Sequence, residues 1–529
     1  MFVREKTFKN KDGSTRTYLQ LVESAREGDR VRQKVIANLG RLDQLRQDGQ
    51  LERLVEGFGR YTQLTLVKEK AAELKTGRDR EWGPALVFSA LWDRLGVGPI
   101  VRDLAGGTEM EFDVDAALFA MALNRLTDPC SKLGVSRWAD TVYCPSFEGL
   151  ELQHYYRALD FVSAHKETVE ERLFERVRDL FHLRLDLVFW DTTSTYFEGR
   201  GPEPLARFGH SKDSRPDRLQ LMIGLLMTQE GIPVAHEVFP GNTADVKTFA
   251  GVLKTLKQRF QIRRVILVGD RGMVSGPVLE EIEAENMEYI VGVKMRKAKA
   301  MEEVLSRAGR YKEVKDNLRV KEVELDGERY VVCLNPEEAK RDRQAREEMV
   351  AKLRERLQKD GLKSLVGNSG YRRFLKVAGT EACVDEDTVK KEERYDGKYV
   401  LRTNNRALRP DEVALAYKEL WRVEQAFREM KSGLDLRPIF HWTEPRVRGH
   451  IVVCFLAFLL QSALRRRLEE AEREVSYTDL IHDLKQVRAF ELELDGVKYL
   501  LRPPLYGCSY EGFKAAGIRP PAEVAVVPR

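Results

Sequence analysis

The sequence predicts a mixed α/β core with an insertion, flanked by a small β-rich N-terminal region and by helical modules. Three observations predict it. Short apolar runs alternate with helical periodicity between residues 183 and 295, the pattern of a sheet carrying helices on its faces. A charged stretch at 296–400 interrupts that alternation before it resumes at 401–445. On either side the pattern changes: basic, turn-punctuated strands fill residues 1–45, helical periodicity marks 46–182, and 446–529 is helical with an irregular tail.

In the first region, Tyr18-Leu19-Gln20-Leu21-Val22 and Val31-Arg32-Gln33-Lys34-Val35-Ile36 read as strands. Turn signals stand at Lys11-Asp12-Gly13-Ser14 and Glu27-Gly28-Asp29. Arg4, Lys6, Lys9, Lys11, Arg16, Arg26, Arg30, Arg32, Lys34 and Arg41 make it basic. Such a hairpin suits a phosphate backbone, and equally suits a solvated sheet. Residues 46–182 then read as helices with no evident chemistry.

The core opens with Leu187-Val188-Phe189-Trp190, a strand that ends at Asp191. Strands at 219–226 and 232–239 follow, separated by the turn Gln229-Glu230-Gly231. Next come a helix at 245–260, the run Val265-Ile266-Leu267-Val268-Gly269 ending at Asp270, a helix at 276–285 and a strand at 289–293. Three strands in hairpin succession, then alternating helix and strand, is the order of an RNase H-like domain. The insertion at 296–400 holds a charged helix at 336–359 and strand-like pieces at 330–333 and 399–401. Residues 445–500 read as mostly helical and the tail from Leu501 as irregular.

Composition narrows the class less than the pattern does. With 529 residues the chain exceeds one hydrophobic core, so two to four domains are expected. Charged residues reach 33% with a net charge of +5, which is compatible with a polyanion partner without demanding one. Cys130, Cys144, Cys333, Cys383, Cys454 and Cys508 are scattered without a CxxC pair, arguing against a zinc site or a disulfide framework. The charged start Met1-Phe2-Val3-Arg4-Glu5-Lys6 is unlike a secretory signal. The longest apolar run, 451–460, is far short of the ~20 residues of a membrane span and reads as a buried helix. A reducing, cytoplasmic setting is expected.

Three carboxylates carry the chemistry. Asp191 and Asp270 each follow a strand-like run, and open sheets place their reactive groups at the carboxyl ends of strands. Either Asp alone reads more simply as a turn or helix-capping residue; Asp191-Thr192-Thr193 and Gly269-Asp270-Arg271-Gly272 together favour a site. Glu424 lies in a stretch where Val413, Ala416, Leu420, Val423, Phe427 and Met430 form one apolar stripe. Tyr417, Glu424 and Lys431 are seven apart, along one edge of that stripe, and Arg428 stands four beyond Glu424. Alone, this is also the pattern of a surface helix with Glu/Arg pairs. Three hard oxygen ligands suit Mg²⁺ or Mn²⁺, and two such ions can drive phosphodiester chemistry. The Gly- and Pro-rich loop with Arg200, Arg207, His210, Lys212, Arg215 and Arg218 offers a backbone clamp, although Glu198, Glu203, Asp213 and Asp217 dilute its field. In Arg437-Pro438-Ile439-Phe440-His441-Trp442, the arginine can meet a phosphate and the tryptophan a base, though a core role is commoner for Trp.

These motifs resemble the DDE transposases of bacterial insertion sequences, most of all the group with a Tyr–Arg–Glu–Lys signature and a β-rich insertion. The resemblance rests on Phe189-Trp190-Asp191-Thr192-Thr193-Ser194, Gly209-His210-Ser211-Lys212-Asp213, Phe239-Pro240-Gly241-Asn242-Thr243-Ala244-Asp245, Gly269-Asp270-Arg271-Gly272-Met273 and the stretch 417–431, with Ile36-Ala37-Asn38-Leu39-Gly40 near the start. It implies Asp191, Asp270 and Glu424 as catalytic metal ligands for Mg²⁺, with Mn²⁺ substituting and two ions expected. Tyr417 and Lys431 would be DNA-end contacts. Arg422 and Arg428 are the candidates for the signature arginine, whose place is taken by Leu420; Arg271, Lys212, Arg215, Arg437, His441 and Trp442 complete the expected DNA-binding set.

The implied reaction is nicking of the element's end by activated water, followed by attack of the freed 3′-OH on target DNA. The partners would be double-stranded DNA, as terminal inverted repeats and target, and a second copy of the chain in a synaptic homodimer on the nucleoid. Residues 46–182 read as a module for DNA end recognition or for packing, between which the sequence does not decide, and 446–529 are a candidate for dimerisation. Two rivals stand beside this: a catalytically silent, transposase-derived DNA-binding protein, and an RNase H-like nuclease without strand transfer.

Overall fold

The computed structural model describes residues 1–527 except 28–29, 60–74, 182–186, 245–258, 261–265, 271–274, 297–299, 316, 361–368, 379–380 and 495. The chain divides into two units, one comprising Met1–Gly77, Glu491–Tyr499 and Val526–Arg529, the other Arg78–Phe490 and Leu500–Ala525. In the first, β1 (Phe2–Lys9), β2 (Thr15–Glu27) and β3 (Arg30–Arg41) form an antiparallel sheet in that order, followed by α1 (Leu42–Gln47) and α2 (Gln50–Gly59). Two register shifts bend β3 against β2. Leu19, Val22 and Leu45 are buried there, while Phe2 and Phe8 stay exposed. The expected turn at Glu27-Gly28-Asp29 lies largely outside the described residues.

The second unit starts with six helices: α3 (Gly83–Leu95), α4 (Val97–Ala105), α5 (Val114–Thr127), α6 (Lys132–Trp138), α7 (Leu152–Ala164) and α8 (Lys166–Leu180). Helix α5 is buried almost all round, as a helix must be at the centre of a bundle. The sheet follows with β4 (Leu187–Tyr196), β5 (Gln220–Thr228), β6 (Pro233–Pro240), β7 (Ile266–Gly269), α9 (Gly276–Ala284) and β8 (Glu288–Gly292). The insertion holds α10 (Ala300–Ser306), β9 (Lys312–Lys315), β10 (Leu318–Leu325), β11 (Glu328–Leu334), α11 (Pro336–Asp360), the hairpin β12 (Leu375–Ala378) and β13 (Glu381–Val384), and α12 (Glu386–Glu393). Strand β14 (Lys398–Thr403) then leads back to the core.

One nine-stranded sheet runs β9-β10-β11-β14-β8-β7-β4-β5-β6. Strands β4, β5 and β6 pair antiparallel, as hairpin succession requires, and β4-β7-β8 pair parallel. Most of the insertion's strands extend the same sheet, because β14 pairs antiparallel with β8, while β12 and β13 form a two-stranded sheet of their own. Of the expected helix at 245–260, only 259–260 belong to the described residues.

Helices α13 (Pro410–Lys418) and α14 (Trp421–Arg428), a π-turn (Glu429–Gly433), α15 (Glu444–Glu470), α16 (Tyr477–Lys485) and α17 (Ser509–Ala516) complete the unit. Helix α15 is long and apolar enough to cross a membrane, but 89% of its most apolar window is buried inside the fold, so it is a core helix. Two expectations fail here. Residues 445–500 also contain strand, at Arg488–Leu494 and Val497–Leu501, where Phe490 and Tyr499 alternate with charged residues. The tail is not irregular throughout: α17 buries Phe513 and ends at Gly517, whose φ of +74° gives it a left-handed cap.

Candidate active site

Strand register fixes two of the carboxylates. In the parallel β4–β7 pair, Leu187 stands opposite Ile266 and Phe189 opposite Val268. That constant offset of 79 residues is also the offset between Asp191 and Asp270. The two aspartates therefore stand at one level on neighbouring strands. Side chains alternate along a strand, so Asp191 shares a face with Phe189 and Asp270 shares one with Val268. Phe189 and Val268 belong to the same core as Val413, Leu420, Val423, Phe427 and Met430. Both carboxylates thus face the side of the sheet that the glutamate helix covers.

Asp191 is not at the end of its strand, as the sequence implied, but at the fifth residue of ten. The β-branched residues after it keep β4 paired with β5 as far as Tyr196–Gln220, whereas pairing with β7 stops at Phe189. Thr192 N–H donates to Asp191 Oδ1 at 2.7 Å. Burial first, and then the negative Asp270 and Glu424, push the Asp191 carboxyl up to about 6, against Lys212 and the Thr192 N–H.

The apolar stripe of the glutamate segment is as expected: Val413, Ala416, Leu420, Val423, Phe427 and Met430 are all buried. The segment is not one straight helix, however. At Leu420–Val423 the backbone bonds tighten to i→i−3, as in Leu420 N–H to Tyr417 O and Val423 N–H to Leu420 O. After Arg428 it loosens into the π-turn, with Leu434 N–H donating to Glu429 O. The seven-residue alignment of Tyr417, Glu424 and Lys431 is therefore broken. Tyr417 Oη donates to Asp270 Oδ1 at 3.1 Å, and Glu424 is exposed in the same cleft of about 360 Å³, with Tyr399, Lys418, Leu420 and Trp421. Lys431 turns inward instead, donating to Asp213 Oδ1 at 2.7 Å, and burial holds its ammonium below the usual range against that bond.

The other expected residues fall in several places. Lys212 Nζ donates to Thr192 O at 2.7 Å and to Thr192 Oγ1 at 3.1 Å, beside Asp191. Arg215 pairs with Asp217 at 2.8 Å and lies over the Tyr196 ring. Arg422 pairs with Glu419 at 2.5 Å and lies over the Trp421 ring, and Arg428 is exposed. Arg437 pairs with Asp213. Trp442 is 70% exposed. His441 packs between Tyr156 and His450, and burial with Lys132, Arg125 and Arg446 nearby drives its imidazole down to about 3. Arg271 lies outside the described residues.

Some of the site was missed in the sequence. Ser194 Oγ accepts from Lys212 N–H at 2.8 Å and so seats the loop on β4. Tyr399 stacks on Tyr417, ring centroids 5.9 Å apart. Gly209 and Gly241, one in each of two motifs, touch: a Cβ on Gly209 would stand 2.0 Å from Gly241 O. The recurrence of glycine in both motifs was the signal for that contact.

Among the described residues, no three His, Cys, Asp or Glu side chains are gathered tightly enough to enclose an ion. The donor set still fits a divalent cation. Asp191 is half-buried beside two further carboxylates, and burial first and then their charges push it toward its neutral form, a cost that a hard cation bound to their oxygens relieves.

Residues 187–460 match the sequence model of the transposase DDE domain. More than half of the chain is covered, and the chain belongs to the DDE transposases. Residues 3–69 match the N-terminal domain of IS1634 family transposases, which makes it a transposase of an insertion sequence. No curated protein matches. Among solved structures, a Mos1 transposase paired-end complex with left transposon end matches at 13% identity and a TM-score of 0.15. That match covers 33% of this chain and 57% of the other.

Proposed function

We propose that this chain cuts DNA at the ends of its insertion sequence and joins the freed 3′-OH to target DNA, with Asp191, Asp270 and Glu424 as the catalytic carboxylates. The observation that carries the reading is that Asp191 and Asp270 keep the register offset of the paired strands, on the face beneath the glutamate helix. These three side chains would hold Mg²⁺, or Mn²⁺ in its place.

 

Two ions are proposed, and when bound they supply an activated oxygen nucleophile on one side of the phosphodiester and stabilise the leaving oxygen on the other. The chain's own groups do the rest. Tyr417 orients the Asp270 carboxylate through its hydroxyl. Lys212 sets a positive charge beside Asp191, where it can meet a backbone phosphate. Trp442, well exposed on the segment that follows the glutamate helix, offers a stacking surface for a base.

The partners proposed are the terminal inverted repeats, the target duplex and a second copy of the chain, with cytoplasmic action on nucleoid DNA. End binding is assigned to the helices of 46–182, and dimerisation to 446–529. The test is Mg²⁺- or Mn²⁺-dependent cleavage of the DNA flanking the gene, by wild type and by Asp270→Ala. Nicks at a defined repeat boundary, lost in the variant, support the proposal. Binding without cleavage by the wild type favours a silent DNA-binding protein, and cleavage without strand-transfer products favours a nuclease.

A further inference from the structure

Two neighbouring residues of one loop grip opposite parts of the site. Lys212 reaches back to Thr192 on the strand of the first aspartate. Asp213 reaches the other way, and its Oδ1 accepts from both Lys431 Nζ and Arg437 Nη1. The Asp213 side chain is 4% exposed and that of Lys431 8%. Asp213 Oδ2 is buried and takes no hydrogen bond among the described residues.

Both cations belong to the end of the glutamate segment. Lys431 lies in the π-turn, and Arg437 stands two residues before Ile439, whose N–H donates to Tyr196 O while its carbonyl accepts from Glu198 N–H. The loop itself is pinned to β4 by Lys212 N–H on Ser194 Oγ and folded on itself by Arg215 N–H on Ser211 Oγ. The carboxylate therefore joins the strand that carries Asp191 to the segment that carries Glu424. A buried ion pair is weak evidence for stability, because desolvation offsets its attraction, and in some proteins such pairs serve to specify a geometry instead.

We infer that Asp213 is a positioning residue: through Lys431 and Arg437 it holds the glutamate segment against β4, so that Glu424 faces Asp191 and Asp270. The inference rests on the carboxylate reading above. Groups that orient metal ligands from behind typically change metal affinity by about 10- to 100-fold when removed.

The test is Mn²⁺ binding to the full chain, followed by electron paramagnetic resonance, with thermal melting as the folding control. Asp213→Asn and Lys431→Met are each expected to weaken binding about tenfold or more. The double variant should be no weaker than the worse single, because both act through one clamp. A folded Asp213→Asn that binds Mn²⁺ within about twofold of wild type overturns the inference and leaves the carboxylate reading standing. A wild type that binds no Mn²⁺ overturns both. If Asp213→Asn does not fold, Arg437→Met carries the same comparison: it removes the single donor to Asp213 and keeps an apolar stem. A several-fold loss of Mn²⁺ binding there supports the clamp, and unchanged binding overturns it.

Discussion

The two aspartates and the glutamate of the proposed site are positioned by different means. Asp191 and Asp270 stand on adjacent parallel strands, and backbone hydrogen bonds set their level. Glu424 stands on a short helix between a tightened turn and a π-turn, and side chains hold it in place: the buried stripe below, and the Lys431–Asp213–Arg437 cluster at its end. A sheet fixes position through pairing that any sequence of strand-forming residues supplies. A helix laid across it must be placed by particular side chains, so the glutamate half of the site should respond to substitutions far from the chemistry.

The largest expected effect breaks the strand half. Asp191→Ala or Asp270→Ala should lower cleavage by on the order of 10³-fold, with DNA-end binding and melting temperature little changed. Glu424→Ala should behave alike in cleavage. Full cleavage by any one of them removes that residue from the site.

Next comes the support of the helix half. Phe427 is 5% exposed on the stripe, and Phe427→Ala should cost about 3–5 kcal/mol of stability, read as a lower melting temperature. Cleavage should fall further than end binding, because Glu424 loses its seat three residues away. Equal losses in both would assign Phe427 to general stability.

The support of the strand half is ionic and should show in acid. Glu170 on α8 accepts from His236 N–H of β6 at 3.0 Å and pairs with Lys166 and Arg259. Burial pushes its carboxyl up, but Lys166, His236 and Arg259 outweigh that and hold it at about 2, below its ordinary 4.5. A depressed folded-state value means that this contribution is complete above pH 4.5 and is lost as pH falls toward 2. Glu170→Gln should cost about 3–5 kcal/mol at neutral pH and flatten the acid branch of a stability profile. An unchanged acid branch would contradict the pairing.

The smallest effect sharpens the link between the halves. Tyr417→Phe removes the hydroxyl that donates to Asp270, a bond to a charged group worth about 1.5–3 kcal/mol. Cleavage should drop at least about tenfold while DNA binding holds. A parallel loss of binding would make Tyr417 a DNA contact first.

Much of this was legible in the sequence, and for a physical reason. Apolar runs and helical periodicity report burial directly, so the strands leading to both aspartates and the stripe from Val413 to Met430 were readable. The common level of Asp191 and Asp270 was present as a spacing, but it has meaning only once β4 and β7 are known to be parallel neighbours. Other features had no local signal. No proline or glycine marks the tightened turn at Leu420, which tertiary packing imposes. Asp213 read as an acid diluting a basic loop, because its partners lie more than two hundred residues away. The tail helix was hidden by Gly507 and Gly512, whose neighbours resemble a loop until Phe513 is seen to be buried.

The most direct test of the central claim is anomalous diffraction from a crystal of the full chain grown with Mn²⁺. The account predicts density for at least one ion within bonding distance of the Asp191, Asp270 and Glu424 carboxylates. Ordered carboxylates with no ion between them, or Mn²⁺ bound only elsewhere, would contradict it.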